Sequence, residues 1–269
     1  MNKRLLTYFY IVVGLGLMLA STAWADFQTG ADAYERGDYN TALAEFRPLA
    51  EQGDAVAQYN VGIMYDFGLG VPEDDREAVK WYQRAAEQGD AVAQYNLGLM
   101  YDNGWGVPED DQKAAKWYTK AAEQGKALAQ FFLGRMYANG QGVQRDYQKA
   151  ATWSRLAAEQ GYASAQYNLG VMYDNGLGVA QDYREAARWY RLAAEQGEEK
   201  AQSNLASMYH FGQGVLQDDV LAHKWADLAA SQGGGDAVKI RDAVATSMTP
   251  QQIAVAQRLA REWKAKGGE

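Results

Sequence analysis

The chain has 269 residues, a formal net charge of −8 and a hydrophobic content of 48%. That hydrophobic content is enough for a continuous core. The lysines and arginines are dispersed through an acidic chain, which would repel phosphate backbones, so no nucleic-acid partner is expected. The sequence contains no cysteine, which excludes disulfides, thiol catalysis and zinc–thiolate sites.

Residues 1–25 have the features of a cleaved secretory signal. Lys3 and Arg4 precede an apolar run over residues 5–20, and Ala23-Trp24-Ala25 has the small-x-small pattern of a cleavage site. The alternative is a membrane anchor, but the run is short for a membrane span and contains Gly and Thr. We therefore expect cleavage after Ala25 and no membrane span in the mature chain. The expected location is the periplasm of a Gram-negative bacterium, with full secretion as the alternative.

Residues 26–53 predict a pair of helices joined at Arg36-Gly37-Asp38. The side chains expected to face inward are Ala33, Tyr34, Ala42, Phe46 and Leu49. This segment resembles a tetratricopeptide unit, and it ends in the same Ala-Glu-Gln-Gly as the segments that follow. Pro48 within the second helix predicts a kink or local strain.

A 36-residue unit then occurs five times without insertion or deletion. Its copies are 54–89, 90–125, 126–161, 162–197 and 198–233. A strict period of this length is typical of a solenoid, in which each unit is covered by its neighbours. In the first copy, Ala57, Val61 and Met64 lie on one stripe of a predicted helix, and Ala78 and Trp81 on a stripe of a second. Each copy is therefore predicted to be a helix pair.

Several recurring residues predict local structure. Gly62, which recurs in four copies and is Ala206 in the last, predicts a close approach of another helix. The paired glycines, Gly68 and Gly70 in the first copy, predict a left-handed helix cap and a tight turn. One aspartate per copy is expected to cap the second helix: Asp74, Asp110, Asp146, Asp182 and Asp218. One tryptophan per copy is interpreted as core rather than as a ligand platform: Trp81, Trp117, Trp153, Trp189 and Trp225.

Residues 234–269 lie beyond the repeats and predict capping helices. One helix is expected from about Asp236, and Thr249-Pro250-Gln251-Gln252 has the residues of a second helix start. The last helix is amphipathic, with a polar outer side. A solenoid needs such an element to close its exposed end.

The repeated residues, A-x-x-x-L-G-x-M-Y-x-x-G-x-G-V-x-x-D-x-x-x-A-x-x-W-Y-x-x-A-A-E-Q-G, resemble the Sel-1-like repeat, a relative of the tetratricopeptide repeat. The resemblance implies an all-α, right-handed superhelix of antiparallel helix pairs that acts mostly as an adaptor for other proteins. Some exported members are cysteine-rich and have been described as penicillin-binding or as β-lactamases, whereas this chain has no cysteine. We expect a non-catalytic interaction scaffold in the bacterial envelope. The alternatives are a cell-wall or β-lactam-directed enzyme and a scaffold for polysaccharide export or regulation.

The sequence contains no S-x-x-K, G-x-S-x-G, H-E-x-x-H or Walker motif, so no catalytic residue is predicted. His210 and His223 are interpreted as isolated surface replacements rather than as a metal-binding pair. Acidic loops such as residues 108–111 are interpreted as helix caps, because they lack the ligand spacing of a calcium loop. No metal or cofactor is expected.

By analogy with tetratricopeptide arrays, the first helices are expected to line a concave groove that binds a protein or peptide. Asparagine occupies the seventh position in four copies, as Asn60, Asn96, Asn168 and Asn204. Its amide offers a donor and an acceptor to an extended peptide, and the alternative is that it fixes the stacking of repeats. The residues predicted to determine specificity differ among copies: Phe67, Trp105, Phe132, Arg135 and Phe211. Trp105, between two loop glycines, is expected to be exposed.

Overall fold

The computed structural model describes residues 22–265 and 267. The predicted signal segment therefore lies almost entirely outside the described residues. The described residues form fourteen α-helices, and consecutive helices pack against each other as pairs in an all-α solenoid. None of these helices has the length and apolar character that a membrane span requires. The chain divides into two compact units, called unit 1 (residues up to Gln124) and unit 2 (from Gly125).

Unit 1 contains six of these helices. They are α1 (Thr22–Glu35), α2 (Tyr39–Glu51), α3 (Ala55–Phe67), α4 (Asp75–Glu87), α5 (Ala91–Asn103) and α6 (Asp111–Glu123). The helix pair predicted for residues 26–53 is present and is joined where expected, but its first helix begins at Thr22, before the predicted cleavage site. Pro48 lies in the last turn of α2, where it leaves one intrahelical hydrogen bond unmade. Each pair packs on the next, α2 on α3 and α4 on α5.

Unit 2 contains the other eight. They are α7 (Ala127–Asn139), α8 (Tyr147–Glu159), α9 (Ala163–Asn175), α10 (Tyr183–Glu195), α11 (Glu199–Phe211), α12 (Asp219–Ser231), α13 (Gly235–Ala245) and α14 (Pro250–Ala265). The last two pack on α12 and confirm the predicted terminal helices. The amide of Thr249 donates to Gln252 Oε1 at 2.8 Å, and the amide of Gln252 donates back to Thr249 Oγ1 at 3.3 Å. This reciprocal capping box begins α14 as expected.

The predicted helix boundaries are confirmed. Every second helix of the five repeats is capped by the expected aspartate, which directly precedes the helix and whose side chain accepts amide hydrogen bonds from the first turn. Every first helix ends at the first loop glycine in a left-handed conformation; Gly68, for example, has a φ of 65° and donates to the carbonyl of Met64. A residue with a Cβ would be strained at that φ, which explains the recurrence of glycine.

In three repeats the glycine inside the first helix makes room for a tyrosine from the second, whereas Gly134 in the third repeat faces Ser154. A Cβ at Gly62 would lie 2.6 Å from the ring of Tyr82, and the same clash recurs between Gly98 and Tyr118 and between Gly170 and Tyr190. The hydroxyl of Tyr82 donates to Asp66 at 3.1 Å, so the close approach also buries a paired carboxylate. In the last repeat the tyrosine is replaced by Ala226, and the glycine by Ala206.

Buried glutamines hold neighbouring helices together, a role that the sequence analysis did not assign. Gln58 donates to the carbonyl of Ala50 at 3.0 Å, which links α3 to the preceding helix pair. Its Oε1 accepts from Gln88, at the end of its own second helix, at 2.7 Å. The corresponding pairs are 2.7–2.9 Å long in the other four repeats: Gln94–Gln124, Gln130–Gln160, Gln166–Gln196 and Gln202–Gln232.

The five recurring tryptophans, which we call the tryptophan ladder, lie in the core at three of their five positions. Trp81, Trp189 and Trp225 are 5–6% exposed, whereas Trp117 and Trp153 are half-buried. Cationic side chains cover four of the rings, with Arg84, Lys120, Arg188 and Lys224 at 3.9–4.8 Å from the ring centres. These cation–π contacts cover one face of four of the five rings, so those faces are already occupied within the fold.

Candidate partner-binding site

In unit 2 the first helix of each repeat is partly exposed along one stripe, whereas Asn60 and Ile63 on α3 and Asn96 and Leu99 on α5 are buried at the equivalent positions. We call this stripe and its equivalents in unit 1 the first-helix face. On α9 its members are Ser164, Asn168, Val171 and Asn175, all at least partly exposed and spaced three to four residues apart. Side chains with that spacing lie one above the other on a helix. The asparagine row falls on this face, and so do most of the residues predicted to determine specificity.

In unit 1 the asparagines are buried and incompletely hydrogen-bonded. Asn60 is 5% exposed and Asn96 is 1% exposed. Within the described residues, Asn60 Nδ2 has no hydrogen-bond partner, and the Asn96 side chain interacts with the hydroxyl of Tyr59. A buried polar group without a partner costs about 1–3 kcal/mol.

A tyrosine hydroxyl lies beside the Asn96 amide. Burial raises the pKa of Tyr59 well above its usual range, and the carboxylates of Asp90 and Asp66 raise it further, while Asn96 acts in the opposite direction. Asp66 is itself buried, and Asp90 caps α5 by accepting from the amide of Ala93 at 2.7 Å.

In unit 2 the asparagines are half-buried. Asn204 interacts with the hydroxyl of Tyr190, which also donates to Asp174 at 3.2 Å. Burial raises the pKa of Tyr190, and Asp174 adds to the shift. Asn204 therefore contacts the preceding repeat, as the stacking alternative predicts, whereas Asn168 is available at the surface.

The residues predicted to determine specificity differ in exposure. Phe67 and Trp105 are half-buried and pack on one core cluster of unit 1, so Trp105 is less exposed than expected. Phe132 is also half-buried, with the Arg135 guanidinium 4.8 Å from its ring centre. Phe211 is 69% exposed. The sequence analysis missed Leu216, which is 90% exposed five residues further on; its signal was an apolar residue where the other copies have proline, glutamine or alanine.

The two histidines have separate roles. His210 Nδ1 lies 2.8 Å from Asp219, and Ser247 donates to the same carboxylate at 2.9 Å, which links α11, α12 and the turn before α14. His223 is 3% exposed, so the interpretation as a surface replacement is wrong for this residue. The other copies have Val79 or alanine at its position, which marked a core site. Within residues 22–265 no three His, Asp or Glu side chains are arranged to hold a metal ion.

Comparison with known proteins identifies a repeat family and two similar structures. The family model described as Sel1 repeat matches residues 55–90, 91–126, 127–162, 163–198 and 199–234. A Sel1 repeat protein from Oxalobacter formigenes has a TM-score of 0.77 and 35% identity, over 88% of this chain and 99% of that one. The protective antigen c5321 of uropathogenic Escherichia coli, which has an SLR fold, has a TM-score of 0.63 and 30% identity, over 91% of this chain and 62% of that one.

Matches to curated proteins are shorter. The chain is 36% identical over 69 residues to an exopolysaccharide production negative regulator of Rhizobium meliloti, which is 26% of each protein. It is 40% identical over 50 residues to the rat DAP3-binding cell death enhancer 1, which is 19% of this chain and 10% of that protein. The matched part thus spans only 26% and 10% of the length of these relatives.

Proposed function

Because the chain belongs to the Sel1 repeat family, we propose that it is a non-catalytic scaffold that binds another protein through its first-helix face. Sel1 repeat proteins are generally scaffolds for protein–protein interaction. The observation that supports the proposal is that recurring and varying positions of the repeat have different roles. The recurring glutamines, glycines and tryptophans hold the helices together, whereas positions on the first-helix face differ among copies, such as Ile63, which is Leu99, Arg135, Val171 and Ser207 in the other four.

The alternatives receive less support from the structure. A glycan-binding scaffold would need aromatic rings displayed along its surface, but most of the tryptophan ladder is buried or covered by cations. A cell-wall enzyme has only the family analogy in its favour. The location in the bacterial envelope is also part of the proposal, and it rests on the signal-like residues 1–25.

Affinity capture from a bacterial envelope extract tests the proposal. The bait is compared with Asn60→Ala/Asn96→Ala/Asn168→Ala/Asn204→Ala, after circular dichroism has shown that the variant folds. A matched control removes exposed polar side chains from second helices: Gln83→Ala/Gln112→Ala/Gln148→Ala/Thr152→Ala. We expect a protein that the parent and the control capture and the asparagine variant does not. Equal capture by all three proteins would show that the partner does not bind through the asparagines of the first-helix face.

A further inference from the structure

Three of the exposed large apolar side chains of unit 2 lie at the loops between its helices. Phe211 is the last residue of α11 and is 69% exposed, and Leu216 in the loop that follows is 90% exposed. Tyr183, the first residue of α10, is 38% exposed. A single apolar residue at a surface needs no explanation, whereas several that lie close together mark a contact surface.

Close backbone packing joins these loops and helix starts into one surface. A Cβ at Gly214, in the middle of the last loop, would lie 2.0 Å from the carbonyl oxygen of Tyr183, so this loop lies against the start of α10. A Cβ at Gly178 would likewise lie 2.0 Å from the carbonyl oxygen of Tyr147, so the preceding loop lies against the start of α8. We call this surface the loop edge of unit 2, and its members are Arg145, Tyr147, Tyr183, Arg184, Phe211 and Leu216.

The two tyrosines of the loop edge replace carboxylates of unit 1. Asp75 of the first repeat corresponds to Tyr147 of the third, and Asp111 of the second repeat corresponds to Tyr183 of the fourth. The helices that begin at these positions have the same length and the same kind of aspartate cap in both units. The fold therefore does not require either set of side chains, and the replacement changes what this edge can bind.

Two arginines lie beside these rings without a carboxylate partner. Arg145, which occupies the position of Glu73, is exposed, and its guanidinium lies 5.7 Å from the ring centre of Tyr147. Arg184 directly follows Tyr183 and is also exposed. Among the described residues, no ion pair includes either arginine. Both positive charges are therefore available to a ligand.

The carboxylates of the same edge are already engaged. Asp146 and Asp182 accept amide hydrogen bonds at the starts of α8 and α10. Glu185 pairs with Arg188 at 3.2 Å, and Asp219 is held by the contacts described above. Carboxylates supplied by a partner would therefore meet two unpaired guanidinium groups, which bind carboxylates with two parallel hydrogen bonds.

We propose that the loop edge of unit 2 is a second interaction surface, and that it binds an acidic segment of a partner protein with apolar side chains between its carboxylates. The apolar side chains of the segment pack on Tyr183, Phe211 and Leu216, and its carboxylates pair with Arg145 and Arg184. Aromatic and arginine side chains are the groups enriched at protein interfaces. Binding there does not require the asparagines of the first-helix face, so it goes beyond the function proposed above.

An anionic membrane surface also attracts arginines and apolar side chains. The formal net charge of −8 opposes that attraction, because an acidic chain is repelled by anionic lipid headgroups. Two guanidinium groups are also fewer than the basic clusters that bind such membranes. A protein segment is therefore the occupant that the charges favour.

Fluorescence anisotropy with labelled twelve-residue peptides tests this proposal on the purified chain. The probe (Glu-Leu-Ala)4 has both features, whereas (Glu-Ser-Ala)4 lacks the large apolar side chains and (Gln-Leu-Ala)4 lacks the charge. We expect the probe to bind at least about fivefold more tightly than either of the other two, and added salt to weaken its binding. Equal binding of the three peptides, or no binding of the probe, would overturn the proposal.

An arginine variant and a matched control separate a built site from general attraction of charge. Arg145→Gln/Arg184→Gln should lower the affinity for the probe about fivefold, because two partly screened ion pairs are lost. The control Arg76→Gln/Arg261→Gln makes the same charge change at exposed sites outside the loop edge and should leave the affinity within about twofold. Equal losses in the two variants would contradict a site at the loop edge.

A charge-neutral variant tests the apolar part of the surface. Phe211→Ser/Leu216→Ser should weaken binding of the probe about threefold or more, because apolar contact area is lost. Both side chains are exposed, so the melting temperature should stay within about 2 °C of that of the parent. An unchanged affinity in this variant would overturn the proposal.

Two further measurements test the other possible occupants. Sedimentation with phosphatidylglycerol vesicles tests a membrane, and light scattering during size-exclusion chromatography tests a second copy of the chain. We expect no vesicle binding and no dimer that depends on Phe211 and Leu216. Vesicle binding or a dimer that Phe211→Ser/Leu216→Ser abolishes would assign the surface to that occupant and overturn the proposal.

Discussion

At the scale of single residues, stability depends on buried polar side chains that are fully satisfied. Gln94 shows this in unit 1, since it donates to the carbonyl of Ala86 at 3.0 Å and accepts from Gln124 at 2.7 Å. Removing it leaves the buried Ala86 carbonyl without its side-chain donor and takes one of two acceptors from the Gln124 amide, which also donates to the carbonyl of Gly89. Asn60 on the first-helix face of unit 1 shows the opposite state, since its buried Nδ2 lacks a partner among the described residues.

We predict that Gln94→Ala lowers the free energy of unfolding by about 2 kcal/mol, because both of its partners lose a hydrogen bond. The exposed Gln83 on α4 bonds only to Glu87, so Gln83→Ala should change the stability by less than about 0.5 kcal/mol. Urea denaturation followed by circular dichroism measures both. Similar losses in the two variants would show that the buried pair has no special role.

His223 should make the last repeat sensitive to acid. Burial lowers its pKa from the ordinary value of 6.5; Arg241 lowers it as well, whereas Asp227 and Asp242 act in the opposite direction. The unfolded chain therefore takes up a proton below about pH 6.5 before the folded chain does. The contribution of His223 to stability is complete above that pH and is lost as the pH falls towards the folded pKa.

The test replaces His223 by alanine, the residue found at this position in three other copies. The melting temperature of the parent should fall more steeply between pH 7 and pH 5 than that of His223→Ala. His210→Asn serves as the control for the second histidine. An equally steep fall of the melting temperature with pH in the parent and in His223→Ala would contradict this prediction.

At the scale of elements, the distance between the two helices of a repeat is set by a glycine–tyrosine pair. A Cβ at Gly98 would lie 2.7 Å from the Tyr118 ring, so alanine there is overpacked although it is the better helix former. The last repeat uses a compatible pair, Ala206 with Ala226, and both side chains are fully buried. An alanine at the glycine position therefore goes with loss of the tyrosine, although the third repeat keeps Gly134 opposite Ser154.

A double-mutant cycle tests this coupling. We predict that Gly98→Ala destabilises the parent by about 1–3 kcal/mol through overpacking. In the background of Tyr118→Ala, which creates a cavity, the same substitution should be neutral or stabilising, since alanine gains about 1 kcal/mol over glycine in a helix. Additive effects of the two substitutions would show that the ring does not set the helix separation.

Each of the five recurring tryptophans should contribute to the free energy of unfolding in proportion to its burial. Trp189 is 5% exposed, so Trp189→Ala should lower the free energy of unfolding by about 3–5 kcal/mol. Trp153, which was interpreted from the sequence as core, is half-buried, so Trp153→Ala should lower the free energy of unfolding by less. Thermal melts of the two variants compare them directly. An equal or larger loss for Trp153→Ala would contradict this ranking.

At the scale of the whole molecule, periodicity made the architecture predictable and left the polar contacts undetermined. The 36-residue period, the capping aspartates and the loop glycines each have a local physical cause, so they located the helices and their ends. The glutamine pairs were missed because glutamine is common on helix surfaces, and its partners lie up to thirty residues away. The half-burial of Trp105 likewise depends on packing between helices, which a loop sequence does not show.

The central claim is that a partner protein binds the first-helix face. Photocrosslinking in envelope extract tests it most directly, with benzoylphenylalanine at Asn175 on that face or at Thr152 on a second helix, both exposed. We predict a crosslinked protein from position 175 and none from position 152. Crosslinking from position 152 alone, or from neither position, would contradict the claim.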